Sequence, residues 1–241
     1  GADTNAWDGL DEPWFNDEKR FKDAEFGGGS FTVSYEVEVE PGKRERRYGV
    51  TGEESKININ RAGAGLLRVF LETAGGVDSI TALELAASIG DWRDPDDDPL
   101  TGGAENSYYE KLSLPYRCHN ADFESLYELL LVKGMGPELF SRLEPYMTVH
   151  GTGKVNINTA DAMVLKSVAY ECGGQAPVTC ELLVARLLAF RVAGGVFREP
   201  DPDAMVRQLG GGTALRSDEG SLFLAMMRTL AQRLKKTSRP I

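Results

Sequence analysis

Lys56 to Leu67 reads KININRAGAGLL, and Lys154 to Leu165 reads KVNINTADAMVL. Each stretch opens on Lys, alternates apolar residues with Asn, reaches Ala and runs on into apolar residues at helical spacing. Asn side chains bond neighbouring backbone groups readily and so fix the start of a helix. The same unit written twice predicts two related helical hairpins, and with them a mostly helical domain.

The flanking sequence agrees. After the first copy, apolar residues recur at Leu66, Val69 and Phe70, then at Ile80, Leu83 and Ala87, with Gly75 and Gly76 as a stop between two short packed helices. Further on, Asp122 is the expected cap of a helix carrying Phe123, Leu126 and Leu130, and the turn from Lys133 to Pro137 leads into a short helix from Glu138 to Leu143. After the second copy, Thr159 and Thr179 are the expected caps of helices carrying Val164, Leu165 and Val168, and Leu183, Leu187 and Phe190. Asp201 followed by Pro202 starts another helix, Gly210 to Gly212 stops it, and Leu222, Met226 and Leu230 mark a last one.

Upstream the period changes. From Phe31 to Val39 apolar and polar residues alternate strictly, and Pro41 and Gly42 turn the chain into Lys43 to Val50, where Arg44, Arg46 and Arg47 are expected across from the glutamates. This is a half-buried hairpin with a solvated, charge-matched face. Residues before Gly29 read as an irregular lead-in with a short helix near Asp17 to Phe26, pinned to the body by Trp7 and Trp14. The expected fold class is therefore α+β, with a sheet-forming part over 1–55, a helical domain over 56–215, and a C-terminal helix or return to the sheet over 216–241.

Bulk properties narrow the function. The 241 residues are 41% hydrophobic and 27% charged, an ordinary globular balance, while a net charge of -10 and a pI near 4.9 oppose binding to nucleic acid or anionic lipid. No run of apolar residues approaches the length of a membrane span. The three cysteines leave room for a single bridge, whose candidates are Cys172 and Cys180 on either side of a Gly/Pro turn; three reduced thiols are the alternative. His119 and His150 have no companions that mark a catalytic triad, and the glycine clusters lack the context of a phosphate loop.

One stretch stands apart, Asp91 to Tyr109, DWRDPDDDPLTGGAENSYY. Asp91, Asp94, Asp96, Asp97, Asp98 and Glu105 crowd there, with Arg93 the only cation. So many carboxylates either sit in a solvated loop, hold a cation, or include catalytic acids. Counting Asp94 as position one puts Asp96 at three, Asp98 at five, the Leu100 carbonyl at seven and Glu105 at twelve, the oxygen spacing of a helix-loop-helix calcium loop. Pro99 occupies the position that needs Gly, and no amphipathic helix follows Glu105, so a regular EF-hand is not expected. The donor set, Asn106 included, suits a hard cation with six to eight oxygen ligands and offers nothing to a soft one.

A binding motif competes for the helical part. VNINTA and the run from Ala185 to Leu209 look like helix-hairpin-helix modules of DNA-binding proteins of the competence type, which hold phosphate on turn amides next to cations. Arg186, Arg191, Arg198 and Arg207 supply some charge, but the acidity of the chain favours a hairpin used for protein packing.

Taken together, YGVTGEESKININRA (Tyr48 to Ala62), the acidic loop, PYRCHNADFESLYELLLVKGM (Pro115 to Met135) and KVNINTADAMVL resemble, in this order, the K family of minor pseudopilins of bacterial type II secretion (general secretion pathway protein K). The resemblance implies a pilin-like antiparallel sheet interrupted by a large helical domain, with no enzymatic activity. It implies calcium held at Asp91, Asp94, Asp96, Glu105 and Asn106, with Asp98 as a further ligand. The implied partners are the I and J minor pseudopilins at the tip of a pseudopilus, with a secreted substrate or the secretin as further contacts. The implied location is the periplasm, anchored in the inner membrane through an N-terminal apolar helix that this sequence does not include. The strands with which the family completes its sheet are not visible before Ile241 either, so the covered segment is expected to stop short of them.

Overall fold

The computed structural model describes residues 9–10, 12–40, 43–174, 176–198, 201–211 and 214–233. Trp7 and the Pro41–Gly42 turn lie outside them. The lead-in holds a helix α1, Glu18–Phe21, whose cap Asp17 accepts from Arg20 N at 3.2 Å. Strands β1, Ala24–Phe26, and β2, Gly29–Phe31, form an antiparallel hairpin through Gly27 and Gly28, both at positive φ, as the tight two-residue hairpin turn requires. Strands β3, Ser34–Glu40, and β4, Lys43–Tyr48, form a second antiparallel pair. Glu36 faces Arg46 and their side chains meet at 3.7 Å, as the charge pattern predicts. Arg47 faces Tyr35 instead of a glutamate, and its guanidinium lies over the ring of Phe15 at 5.4 Å. Phe15, not the half-buried Trp14 beside it, is the buried anchor of the lead-in.

Beyond residue 56 the chain is mostly helical. Strand β5, Ile57–Asn58, leads to α2, Ala64–Thr73, and α3, Ser79–Arg93, which pack on each other. The acidic loop follows, with one short helix α4, Asn106–Tyr109, and then α5, Pro137–Leu143, and strand β6, Met147–Thr148. The second hairpin is α6, Ala162–Gly173, with α7, Pro177–Val192; α8, Pro202–Gly210, and α9, Ser217–Arg233, close it. Helix α6 packs on α2, and α9 on α6, α7 and α8, so that one apolar core runs from Leu66 and Phe70 through Val164 and Leu187 to Phe223. Of the two expectations for the C-terminal stretch, helix is the one that Ser217–Arg233 adopts.

Several local expectations are corrected. Ile80 and Leu83 are exposed, at 71% and 53%, while Ala82, Leu85, Ala86 and Ile89 face the core. The Asp78 side chain caps Ile80 N and Thr81 N and so starts the helix in the phase that turns those residues inward. Asp122 caps nothing: it pairs with Arg61 at 2.6 Å, and Ser125 with Glu128 forms the capping box of a 3-10 helix over Leu126–Leu131. Asp161 rather than Thr159 caps α6, and Thr179 lies inside α7, which Pro177 opens. Asp201 caps α8 as expected, and Gly211 ends it at φ +60°.

The sequence echo is an echo in three dimensions. Asn60 holds Phe123 by both backbone groups, accepting from Phe123 N at 2.8 Å and donating to Phe123 O at 2.9 Å. Asn158 holds Phe197 in the same way, both bonds at 2.9 Å. Within each copy the first Asn accepts from the backbone N–H of the second, Asn58 from Asn60 and Asn156 from Asn158. Arg93, last in α3, donates to the carbonyls of Ile59 and Ala62; Arg191, near the end of α7, donates to that of Ala160. The two units differ between the arginine and the clamped phenylalanine. In the second unit a short Gly194–Gly195 turn joins them, and in the first the whole acidic loop does.

Candidate metal centre

The loop is anchored at its base. Trp92 is buried, stacks on Phe123 at 6.3 Å and meets the edge of Tyr109 at 5.3 Å. Lys133 adds a tie that no local pattern announced: its ammonium donates to Gly102 O at 3.0 Å and Gly103 O at 3.3 Å, while its backbone N–H donates to the Tyr109 hydroxyl.

Within this frame the carboxylates converge. Asp94, Asp96 and Glu105 each place a carboxylate oxygen within 4.8 Å of the other two. Two ligands of one calcium ion stand at most about 5 Å apart, twice the usual Ca–O distance, so this separation fits a shared ion. Asp91 is buried in the last turn of α3; its Oδ1 accepts from Leu100 N at 3.1 Å and its Oδ2 has no donor. A side chain on Gly103 would collide with that carboxylate, which is why glycine stands there. Glu105 is 1% exposed and neither of its oxygens meets a donor; Asp94 Oδ1 is likewise buried and unmatched. The Cys118 thiol, close to Glu105, donates to Ala104 O at 3.7 Å.

Burial with acceptors facing acceptors is costly. Burial, then the charges of Asp91 and Asp94, push Glu105 up to about 7. Asp91 is raised by burial and Asp94 by burial and by Asp96. A divalent cation removes this conflict by giving the unmatched oxygens a common partner. Burial, then the charge of Glu105, pushes Cys118 up to about 12, and the cluster of Asp94, Asp96 and Glu105 is itself all oxygen.

Of the six expected ligands, the structure brings Asp94, Asp96 and Glu105 together, with Asp91 alongside. Asp98 stays exposed and outside the cluster, its N–H bonded to Asp96 Oδ1 at 2.9 Å. Asn106 has a structural job: its Oδ1 accepts from Cys118 N at 2.8 Å and its Nδ2 donates to Asp97 Oδ1 at 2.6 Å. Leu100 O accepts from Gly103 N, so the carbonyl at position seven closes a turn. Sequence reading missed Asn120. Held at φ +50°, it donates to Asp96 O and Asp97 Oδ1 and leaves its own Oδ1 buried without a donor. Its only sequence signal is an Asn in a short polar run, which is too common to single out. The bridge candidates Cys172 and Cys180 lie unbridged at the junction of α6 and α7, away from the loop.

An oxygen-lined acidic loop follows α3 in the helical part of the chain, which small antiparallel hairpins precede. Residues 55–152 match the family model for type II secretion system (T2SS) protein K, first domain. The match takes in the acidic loop and Pro115 to Met135, two of the stretches on which the resemblance to the K family rests. Relatives include type II secretion system protein K of Klebsiella pneumoniae, 38% identical over 86 residues (35% of this chain, 26% of the relative). That of Pectobacterium carotovorum is 34% identical over 110 residues (44% and 33%), and that of Aeromonas hydrophila 40% over 86 residues (34% and 26%). The alignments therefore span about a quarter to a third of the length of these relatives. A chain of the crystal structure of the GspK-GspI-GspJ complex from enterotoxigenic Escherichia coli shares the fold, with a TM-score of 0.52 at 17% identity over 69% of this chain and 59% of that one.

Proposed function

We propose that this chain is the periplasmic part of a K-type minor pseudopilin, a non-enzymatic component that assembles with the I and J minor pseudopilins at the tip of a type II secretion pseudopilus. The family match over residues 55–152 carries the reading, and the solved relative, which was crystallised in a GspK-GspI-GspJ complex, points to the same partners. The hairpins before residue 56 would belong to a pilin-like sheet that the helical domain interrupts. An N-terminal apolar helix, outside this sequence, would anchor the protein in the inner membrane; no helix among the described residues is long and apolar enough to cross one. The DNA-binding alternative has less support, because the Asn side chains of both repeats are committed to holding Phe123 and Phe197.

Calcium would be held by Asp94, Asp96 and Glu105, with the unmatched Oδ2 of Asp91 and Oδ1 of Asn120 as candidates for further ligands, and its role would be to fix the loop. Ligand binding to the folded state alone adds about 2.7 kcal/mol at a hundredfold excess over Kd. Chelation should therefore lower the melting temperature by about 5 °C or more, and Asp94→Ala should remove that difference. A calcium-loaded sample whose melt ignores chelator would sink the metal assignment. The partner assignment is tested separately, by co-purification with soluble I and J pseudopilins, and fails if no complex forms in calcium.

A further inference from the structure

We propose that Cys172 and Cys180 close an intramolecular disulfide in an oxidising compartment, stapling α6 to α7, and that the dithiol form is its precursor. Helix α6 ends at Gly173, and Gly174 at φ +52° reverses the chain within a few residues. Ala176 N donates to Gly173 O and Cys180 N to Ala176 O, each at 3.1 Å, which lays the first turn of α7 against the last turn of α6. The sulfur of Cys180 lies in that seam: its S–H donates to Ala169 O at 3.4 Å, and a Cβ built on Gly173 would stand 2.5 Å from it. The Cys180 sulfur therefore touches the residue next to Cys172. A negative charge on Cys172 also adds to the burial that raises Cys180. Glu181 holds the seam from the other side, accepting from the Tyr170 hydroxyl at 2.6 Å and pairing with Lys166 at 3.0 Å. A bridge needs Cα atoms about 4.4–6.8 Å apart, and the approach of the Cys180 sulfur to Gly173, the neighbour of Cys172, is what points to such a separation.

The chemistry is thiol–disulfide exchange with a disulfide oxidant, here oxidised glutathione. Cys172, half-buried and the more accessible of the two, attacks as thiolate, forming a mixed disulfide and releasing one glutathione thiol. Cys180 then attacks the Cys172 sulfur as thiolate and expels the second. Two S–H bonds are lost, one S–S bond forms, and the oxidant leaves as two thiols carrying the two protons and the two electrons. Cys118, buried against the acidic loop, takes no part.

Trypsin reads the outcome directly, because no Lys or Arg lies between Lys166 and Arg186 and both cysteines fall in one peptide, Ser167 to Arg186. The folded protein is incubated with oxidised glutathione, unfolded in an alkylating agent without reductant, and digested. The expected result is an unalkylated peptide two hydrogens lighter than the dithiol, with Cys118 alkylated, and a melting temperature about 5 °C above that of the reduced protein. Full alkylation of both cysteines, or glutathione adducts on each, would overturn the proposal. The assay needs neither calcium nor a pseudopilin partner, so its failure is distinct from failure of the proposed function.

Discussion

Asn158 is buried with its amide committed at both ends to one residue, donating to Phe197 O and accepting from Phe197 N. Asn158→Ala strands two backbone groups away from water, at a cost of about 2–3 kcal/mol, a drop of about 5–10 °C in melting temperature. Asn158→Asp should do no better, since it replaces the donor facing the Phe197 carbonyl with a charge. A melt within 1 °C of wild type for either variant would refute the clamp. Asn60→Ala should cost less, because Asn60 is only half-buried. The sequence showed these asparagines as residues that set the start of a helix; Asn58 and Asn156 instead close turns that precede α2 and α6, whose N-caps are Gly63 and Asp161. It did not show their grip on Phe123 and Phe197, because a hydrogen bond between residues far apart in the chain leaves no local spacing to read. The caps failed for a related reason. Thr159 and Asp161 are both competent, and the turn that precedes them decides which one meets the first free N–H groups.

The acidic loop was legible as a collection of oxygens and only partly as a geometry. Positions one, three and twelve of the calcium-loop count converge, while position five does not: the turn at Asp96 uses the Asp98 N–H and leaves the Asp98 side chain outside. Asp91 stands alongside from the preceding helix, which a count starting at Asp94 could not include. The metal-free loop should carry a distinctive pH dependence. Glu105, raised to about 7 from an ordinary 4.5, holds a proton in the folded state over a range in which the unfolded chain has released it. The folded state then binds more protons, so stability falls as pH rises from about 4.5 to about 7; the raised Asp91 and Asp94 act in the same direction. In chelator, the wild type minus Glu105→Gln difference in melting temperature should grow more unfavourable to wild type between pH 5 and pH 8. Added calcium should reverse its sign at pH 8. A difference independent of pH in chelator would contradict the burial of this carboxylate.

At the scale of the molecule, two matching units share one core and only the first carries the insertion. Metal loss should therefore be felt locally before it is felt globally. Hydrogen exchange in chelator should speed up over residues 91–120, while the amides of α6 and α7 keep their protection. Uniform loss of protection would show that the units open as one. The doubled unit was the most legible part of this plan, because it is written in the chain. The separation of the strands into three small pairs was not. It depends on which edges the surrounding helices leave open, and alternation within a single strand is silent on that.

The pair β5 and β6 is parallel, Ile57 beside Met147 and Asn58 beside Thr148, and is reinforced by hydrogen bonds from Thr148 to Glu53, from Thr152 to Glu54 and from Asn156 N to Glu54 O. This clasp closes the first unit into a ring, so that tension between the N-terminal hairpins and α6 crosses from one strand to the other without passing through α3 or the acidic loop. Because the strands are parallel, such a pull loads their bonds together in shear instead of opening them one by one. The acidic loop hangs outside this mechanical path, so its own ordering does not set the strength of the chain.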